Sequence, residues 1–232
     1  KEYESYPSFA IEANHESVQE FVHRFPFTAT DAQTRSIETI LKDMGEGRAM
    51  SRLLEGDVGS GKTAVAAAAA YAVVTATEER REEEGFSEIA REAKSASAHF
   101  PKGQFRKGRE ELSLRENADA DEPSLQFLKN PPPPVARRLQ VAYMCPTEIL
   151  ATQHFESFIQ YFSYLGIQIG LITSSGCRKF PSKVNPKGWT DISRSQLLKW
   201  VANGEIAIVV GTHALIQKSV QFKRLAFAII DE

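Results

Sequence analysis

The chain is poor in several features that mark specialised classes of protein. Its 232 residues include two cysteines, Cys145 and Cys177, which form no Cys-x-x-Cys pair, so neither a disulfide scaffold nor a thiol redox motif is indicated. The five histidines show no spacing that would hold zinc. The apolar run at 64–76 is too short to span a bilayer. No secretory signal opens the chain, so we expect a reduced, cytoplasmic protein without a membrane segment.

Neither sign of charge dominates. The chain has 28 Lys and Arg against 30 Asp and Glu, which gives a formal net charge of -2. Any surface for nucleic acid must therefore be local rather than spread over the molecule. A hydrophobic content of 42% is enough for a sizeable core, and the length suits one large domain or one and a half small ones.

The strongest motif is a glycine-rich octapeptide at 56–63. It matches G-x-x-x-x-G-K-[ST], a loop whose backbone N–H groups surround the phosphates of a nucleotide. In such a loop Lys62 reaches the β- and γ-phosphates and the Thr63 hydroxyl ligates Mg²⁺. We expect a short buried strand at 52–55 before the loop and a helix at 64–76 after it, which favours an ATP site over an ordinary turn. The nucleotide-binding residues predicted here are Gly56, Asp57, Val58, Gly59, Ser60, Gly61, Lys62 and Thr63.

Apolar runs rich in β-branched residues alternate with helical patterns elsewhere in the chain. Strands are predicted at 141–145, 167–173, 206–210 and 225–230, and helices at 15–25, 30–44, 149–162 and from Asp191 to about Gly204. This alternation predicts an α/β fold with a mostly parallel sheet and helices on both faces. Ligands bind beyond the carboxyl ends of strands in such sheets. We therefore expect the functional residues along one edge of the sheet.

Gln33 has two compatible interpretations. Thr30 and Gln33 stand three residues apart ahead of an apolar helical pattern, which is a capping box. The Gln33 amide also carries a donor and an acceptor, so it is suited to read the edge of adenine. The sequence leaves both open.

Residues 78–138 interrupt the α/β pattern. About sixty residues stand where compact α/β proteins place a short connection. The segment begins with a charged run, ends near four consecutive prolines and is poor in large apolar residues, which predicts a solvated insertion. An arm that touches DNA or a partner is the alternative, suggested by Lys102, Arg106, Lys107 and Arg109.

Five stretches, in family order, resemble the first motor domain of the RecG family of bacterial ATP-dependent DNA helicases. They are Phe-Pro-Phe-Thr at 25–28, the phosphate loop with its lead-in at 53–63, Cys-Pro-Thr-Glu-Ile-Leu-Ala-Thr-Gln-His at 145–154, Gly-Thr-His-Ala-Leu-Ile-Gln at 211–217 and Ile-Ile-Asp-Glu at 229–232. The resemblance implies a RecA-like P-loop fold. Residues 1–24 would be a lead-in with a short helix, and 25–232 a C-terminally truncated motor domain carrying the 78–138 insertion.

The resemblance also implies roles for single residues. Gln33 would contact adenine, with Phe25 or Phe27 lining the base pocket. Lys62 would hold phosphates in catalysis, Thr63 and Asp231 would hold Mg²⁺, and Glu232 would polarise the attacking water. The family usually has glycine where Ser174 stands. The residues that match its DNA-facing motifs are Pro146, Thr147, Glu148, Gln153, His154, Thr173, Ser174, Gly211, Thr212 and His213.

The implied function is ATP- and Mg²⁺-dependent remodelling of branched duplex DNA, at stalled forks and Holliday junctions, by a monomer. Because the chain starts at Lys1 and stops at Glu232, we expect a longer protein with a second motor domain and a wedge domain. The chain alone is expected to be inactive, since an arginine finger from a second motor domain contributes roughly a thousandfold or more to the rate. A strand expected after Glu232 would lie between 52–55 and 225–230, which predicts a gap in the sheet.

Two other functions remain open. A transcription-repair coupling translocase shares much of the pattern, but that family usually has Phe in place of Ser60 and Pro-Thr-Thr at 146–148. A nucleotide-binding regulatory module without motor activity is the other alternative.

Overall fold

The computed structural model of the chain describes residues 10–76 and 138–231. Outside these ranges lie the first nine residues of the predicted lead-in, Glu232, and nearly all of the 78–138 insertion, including Lys102, Arg106, Lys107 and Arg109. No helix within 10–76 or 138–231 is long and apolar enough to cross a membrane.

The described elements alternate after the insertion as the sequence pattern predicts. The first part of the chain forms helices α1 (His15–His23), α2 (Asp31–Gly45) and α3 (Lys62–Thr75). The second part forms β1 (Gln140–Met144), α4 (Glu148–Phe162), β2 (Ile169–Ile172), β3 (Cys177–Phe180), β4 (Thr190–Ile192), α5 (Arg194–Ala202), β5 (Ile208–Gly211) and β6 (Leu225–Ile230). Short 3-10 turns follow α4 and β5, at Ser163–Leu165 and His213–Ile216.

The six strands form one sheet in the order β4-β3-β2-β5-β1-β6. Strands β2, β5, β1 and β6 are parallel, so their carboxyl ends lie at one edge. Strands β3 and β4 extend the sheet with antiparallel pairings. The predicted mostly parallel sheet is therefore confirmed, and β3 and β4 are additions that the apolar pattern did not indicate.

Helices cover both faces of the sheet, also as predicted. On one face α3 packs on β1 and β6, and α4 packs on β2 and β5. Tyr143 of β1 points to this face and meets Phe158 of α4 edge-on, with ring centroids 5.3 Å apart. On the opposite face, Leu197 of α5 lies against Gly170 of β2. Alternate residues of each strand thus meet different helices, as the period of two requires.

Helix α3 is buried on nearly all sides. Ala67, Ala68 and Ala70 have no exposed surface, and α1 packs across the helix by stacking Phe21 on Tyr71 at 4.3 Å between ring centroids. Alanine side chains allow neighbouring elements to approach closely and cost little rotamer entropy. The close packing holds the N-terminus of α3 in place directly after the phosphate loop.

Two local predictions are wrong. Residues 52–55 form no strand, and Leu53 is 80% exposed. A strand needs a neighbour to take its backbone hydrogen bonds, and none lies beside this segment in the described part of the chain. Asp191 does not cap a helix; it lies within β4, and Ser193 caps α5 by accepting from the Gln196 N–H. Ser and Asp are comparable caps, so the sequence pattern could not separate these neighbours.

Candidate nucleotide and DNA site

The phosphate loop takes the curled backbone that its glycines allow. Gly59 and Gly61 both have φ of +82°, in the left-handed region that other residues rarely adopt. Gly61 is the N-cap of α3, which starts at Lys62. The Lys62 ammonium donates to the carbonyl oxygens of Gly56 at 2.6 Å and Asp57 at 3.0 Å. The lysine therefore lies across the loop, where its charge is available to an anion bound at the N-terminus of α3.

Gln33 ties helix α2 to this loop. Its Oε1 accepts from the Thr30 N–H at 2.9 Å, and its own N–H lies 3.3 Å from the Thr30 Oγ1, so the capping box is present. Its Nε2 donates to the Ser60 carbonyl at 2.8 Å. The Gln33 side chain thus caps α2 and also holds the phosphate loop at Ser60. A hydrogen bond from the same amide to adenine stays a prediction.

The two phenylalanines predicted to line a base pocket differ in exposure. Phe25 is 8% exposed, with its ring packed against Phe21 and Tyr161. Phe27 is 41% exposed. The structure therefore places Phe25 in the core and leaves Phe27 the more exposed ring; contact of either ring with a base stays a prediction.

Asp231 and the phosphate loop lie on the same rim of the sheet, and His154 of α4 stands between them. The His154 Nε2 lies 2.9 Å from the Asp231 Oδ2, and its Nδ1 lies 3.5 Å from the Thr63 Oγ1. The ring also packs on Tyr143, with centroids 4.9 Å apart. An Nε2–H donor to the carboxylate leaves Nδ1 as an acceptor for the Thr63 hydroxyl in the neutral ring. This arrangement links the two oxygen-bearing side chains predicted to hold Mg²⁺ through one imidazole ring.

The environment of this rim keeps neighbouring groups neutral. Burial, and then the negative charge of Asp231, raise the pKa of the Cys145 thiol to about 12. Burial is also the main cause that raises the pKa of the Tyr143 hydroxyl. Ionisation of either group would place a second negative charge beside Asp231 in a region of low dielectric, which is unfavourable. The Asp231 carboxylate thus has two neutral neighbours, Tyr143 of β1 and Cys145 directly after β1.

The predicted DNA-facing residues follow the ends of parallel strands, but they divide by exposure. Those on the surface are Pro146, Thr147, Gln153, Ser174 and His213. Glu148 is half-buried at the start of α4, where its Oε1 accepts from the backbone N–H of Ser174 at 2.8 Å and of Ser175 at 3.2 Å, and from the Ser174 hydroxyl. These hydrogen bonds lower the pKa of the Glu148 carboxyl. The loops after β1 and β2 are thus joined through one carboxylate.

Four other residues predicted to face DNA are buried or mostly buried. Thr173, Gly211 and Thr212 are buried; the Thr173 hydroxyl bonds within its own turn, to Gly176 at 3.0 Å, and Thr212 starts the 3-10 turn after β5. His154 lies between Thr63 and Asp231. The Thr173 and Thr212 hydroxyls make hydrogen bonds within their own loops, and contact of these four residues with DNA stays a prediction.

Residues 30–232 match a family model described as DEAD/DEAH box helicase. The match runs from the capped start of α2, through the phosphate loop, to the acidic end of β6. The chain belongs to the DEAD/DEAH box helicase family.

This helicase domain is similar to segments of longer curated proteins. It is 33% identical over 219 residues to ATP-dependent DNA helicase RecG of Bacillus subtilis, a match that covers 94% of this chain and 21% of that protein. RecG of Aquifex aeolicus is 30% identical over 222 residues, a match that covers 96% of this chain and 19% of that protein. The transcription-repair-coupling factor of Bacillus subtilis is 30% identical over 231 residues, with 100% and 13% covered. The chain therefore corresponds to a small part of each relative.

A solved structure shows the same fold. The structure of RecG bound to a three-way DNA junction aligns with a TM-score of 0.60 at 26% identity, covering 100% of this chain and 22% of that one. The resemblance to RecG that the five sequence stretches indicate is thus confirmed, and so is the RecA-like α/β fold.

A cleft of about 1330 Å³ separates the outer edge of β6 from residues 50–56 of the helicase domain. Its walls include Arg52 and Leu54 on one side and Phe227 and Ile229 on the other, with Ala69 of α3 between them. Leu225 and Ile230 of β6 are exposed at 45% and 70%. The cleft lies at the place where the sequence predicts a gap in the sheet.

The helical spacing of α4 indicates that His154 faces inward, a position that its motif alone does not reveal. Ala151, Phe155 and Phe158 form the fully buried face of this helix. His154 stands three and four residues from two of them, so helical periodicity places it on the inward side. Because His154 belongs to a motif predicted to face DNA, this inward position was not predicted from the sequence.

Proposed function

We propose that the chain is the first motor domain of an ATP-dependent DNA helicase that acts on branched duplex DNA. The observation that carries the proposal is the rim where Thr63 and Asp231 are joined through His154, beside a phosphate loop with two left-handed glycines. Support also comes from the similarity to RecG proteins. The whole protein would work as a cytoplasmic monomer with a second motor domain and a wedge domain in the same chain.

The residues present fit a magnesium nucleotide. Loop amides at 56–61 and Lys62 would hold the phosphates, Gln33 and Phe27 the base, and the oxygens of Thr63 and Asp231 the metal. A hard, oxygen-rich donor pair suits Mg²⁺. When bound, the nucleotide supplies phosphoryl-transfer chemistry, in which the protein mainly positions groups and neutralises charge. Glu232, proposed to polarise water, lies outside the described residues.

DNA would meet the exposed side chains on the same rim. Thr147 and Ser174 are exposed at this rim, and the Thr147 hydroxyl can donate to a phosphate while it accepts from the Leu150 N–H, which suits contacts to phosphates rather than to bases. Pro146, Gln153 and His213 extend this surface. We expect such contacts to position the strand without reading its sequence.

The test uses the full-length protein with a three-way DNA junction. We expect ATP hydrolysis that rises in the presence of the junction, and strand separation that needs ATP. Lys62→Ala should lower hydrolysis by on the order of a hundredfold or more, because the developing phosphate charge loses its cation. Gln160→Ala, a change at an exposed site on α4, serves as the matched control. Wild-type protein that binds nucleotide but shows no stimulation by DNA would favour the regulatory module.

Transcription-repair coupling is the second candidate, favoured by the similarity to that factor over the whole chain. The same junction assay separates the two functions. Unwinding of a bare junction supports the helicase on branched DNA, whereas ATP-driven activity that requires a stalled transcription complex supports the coupling factor.

A further inference from the structure

Helix α4 touches both functional regions of the domain. At its first residue, the Glu148 carboxylate holds the backbone N–H groups of Ser174 and Ser175. His154 follows six positions later, about 9 Å along the axis at 1.5 Å per residue. Its ring contacts Thr63 and Asp231. A single helix therefore connects the surface loop after β2 with the predicted metal ligands.

The packing of α4 makes it a stiff connection. Ala151, Phe155, Phe158 and Phe162 are fully buried, and Phe158 and Phe162 stack with ring centroids 5.5 Å apart. Close-packed interiors transmit small displacements instead of absorbing them. A shift at the first turn of α4 is therefore expected to reach the second turn, where the His154 ring sits 14% exposed.

We propose that His154 is a positioning residue through which DNA at the loops after β1 and β2 changes the hold of Thr63 and Asp231 on a magnesium nucleotide. The inference rests on the proposed function and goes beyond it by naming the connection. Nothing in the similarity to known helicases assigns this role to the residue. The two ring nitrogens lie within hydrogen-bonding distance of the Asp231 carboxylate and the Thr63 hydroxyl, so a shift of the helix that carries the ring is expected to move both contacts.

The readout is a coupling ratio. The affinity of the full-length protein for a fluorescent, non-hydrolysable ATP analogue with Mg²⁺ is measured at equilibrium, with and without a three-way junction. The ratio of the two affinities is the factor by which DNA changes nucleotide binding, and linkage requires the nucleotide to change DNA affinity by the same factor. A residue that merely supports the fold would lower both affinities and leave their ratio unchanged.

Three variants separate ring packing from hydrogen bonding. His154→Phe keeps a ring against Tyr143 but has no nitrogen, and we expect its coupling ratio to fall about fivefold or more, towards one. His154→Gln keeps a donor for Asp231 and should retain a larger share of the ratio. Gln160→Ala, on the exposed side of the same helix, should match the wild type.

The outcomes are decisive in each case. A wild-type coupling ratio in His154→Phe overturns the inference, as does an equal loss of affinity with and without DNA. If His154→Phe melts below the assay temperature, His154→Asn, which is polar but shorter, decides in its place by the same criterion. If the junction does not change the nucleotide affinity of the wild type, the proposed function fails and the inference fails with it. If the wild type shows a coupling ratio that falls towards one only in the His154 variants, the proposed function and the inference are both supported.

Discussion

At the scale of single residues, several polar side chains each join parts of the chain that are far apart in sequence. Gln140 is fully buried, and its amide Nε2 donates to the carbonyls of Val201 and Ile206 at 3.0 and 2.8 Å. Its Oε1 accepts from the Arg224 N–H at 2.9 Å. One side chain therefore satisfies backbone groups at the end of α5, before β5 and before β6. Buried amides of this kind are costly to remove because their partners stay buried.

We expect Gln140→Leu to lower the free energy of unfolding by about 2 to 4 kcal/mol, since the Ile206 carbonyl and the Arg224 N–H lose their partners. Urea denaturation followed by fluorescence measures the change. Gln160→Leu makes the same replacement at an exposed site on α4 and should stay within about 0.5 kcal/mol of wild type. Equal effects in the two variants would contradict this account of Gln140.

Gly59 and Gly61 offer a matched pair within the phosphate loop. Both have φ of +82°, but a Cβ on Gly59 would meet nothing within 4 Å, whereas a Cβ on Gly61 would collide with the Gln33 amide. Gly59→Ala therefore tests backbone strain alone, about 1 kcal/mol. Gly61→Ala should weaken binding of a fluorescent ATP analogue further, by roughly tenfold relative to Gly59→Ala. Because Gln33 is itself proposed to contact the base, Gln33→Ala alone serves as the reference, and in that background Gly61→Ala should weaken binding no more than Gly59→Ala does in the wild type; a larger loss would show that the collision is not the cause.

At the scale of elements, the three long helices begin in two different ways. Thr30 caps α2 and Thr147 caps α4 through side-chain oxygens, while α3 starts directly from the left-handed Gly61. Helix α3 has no side-chain cap, which leaves the N–H groups of Lys62 and Thr63 available to an anion bound in the phosphate loop. The pattern of caps thus separates structural helix starts from the start predicted to bind phosphate.

Thr30→Ala should destabilise the chain by about 1 kcal/mol, because the capping box loses the oxygen that accepts from the Gln33 N–H. Thermal or urea denaturation gives the value. Thr39→Ala, at an exposed position within α2 whose hydroxyl bonds the Arg35 carbonyl, is the control and should be neutral or slightly stabilising. A larger loss at Thr39 than at Thr30 would argue against capping as the source of stability.

At the scale of the whole molecule, the parallel strands bring distant motifs to one rim. The backbone N–H of Cys145 bonds the Gly211 carbonyl, and that of Asp231 bonds the Met144 carbonyl, each at 2.8 Å. Thr63, the loop after β1 and the end of β6 meet there because strand order, not sequence order, decides which ends are neighbours. The two free cysteines report on the integrity of this sheet, since both are buried.

Stability should fall at alkaline pH as the thiols are forced to ionise. The folded pKa of Cys145 is raised to about 12, and burial also raises that of Cys177, above an unfolded value near 8.5. The contribution of these groups is therefore complete below about pH 8.5 and is lost as the pH rises towards the folded pKa. Urea midpoints measured from pH 8 to 11 should decrease, and less steeply in Cys145→Ala. The rate of thiol labelling at pH 8 should follow unfolding; rapid labelling of the native chain would contradict the burial.

The sequence by itself determined the local features of this helicase domain. The glycines and lysine of the phosphate loop, the Thr30–Gln33 box and the apolar runs of β1, β2, β5 and β6 each depend on neighbouring residues, so periodicity and motif spacing reveal them. The tertiary structure decided what depends on distant partners. It left 52–55 outside the sheet because no strand of the described residues lies beside it, buried Phe25 in the core, and placed His154 against Thr63 and Asp231. Contacts between residues far apart in the chain have no signature in local pattern, because they arise only when the strands are ordered and the helices pack across them.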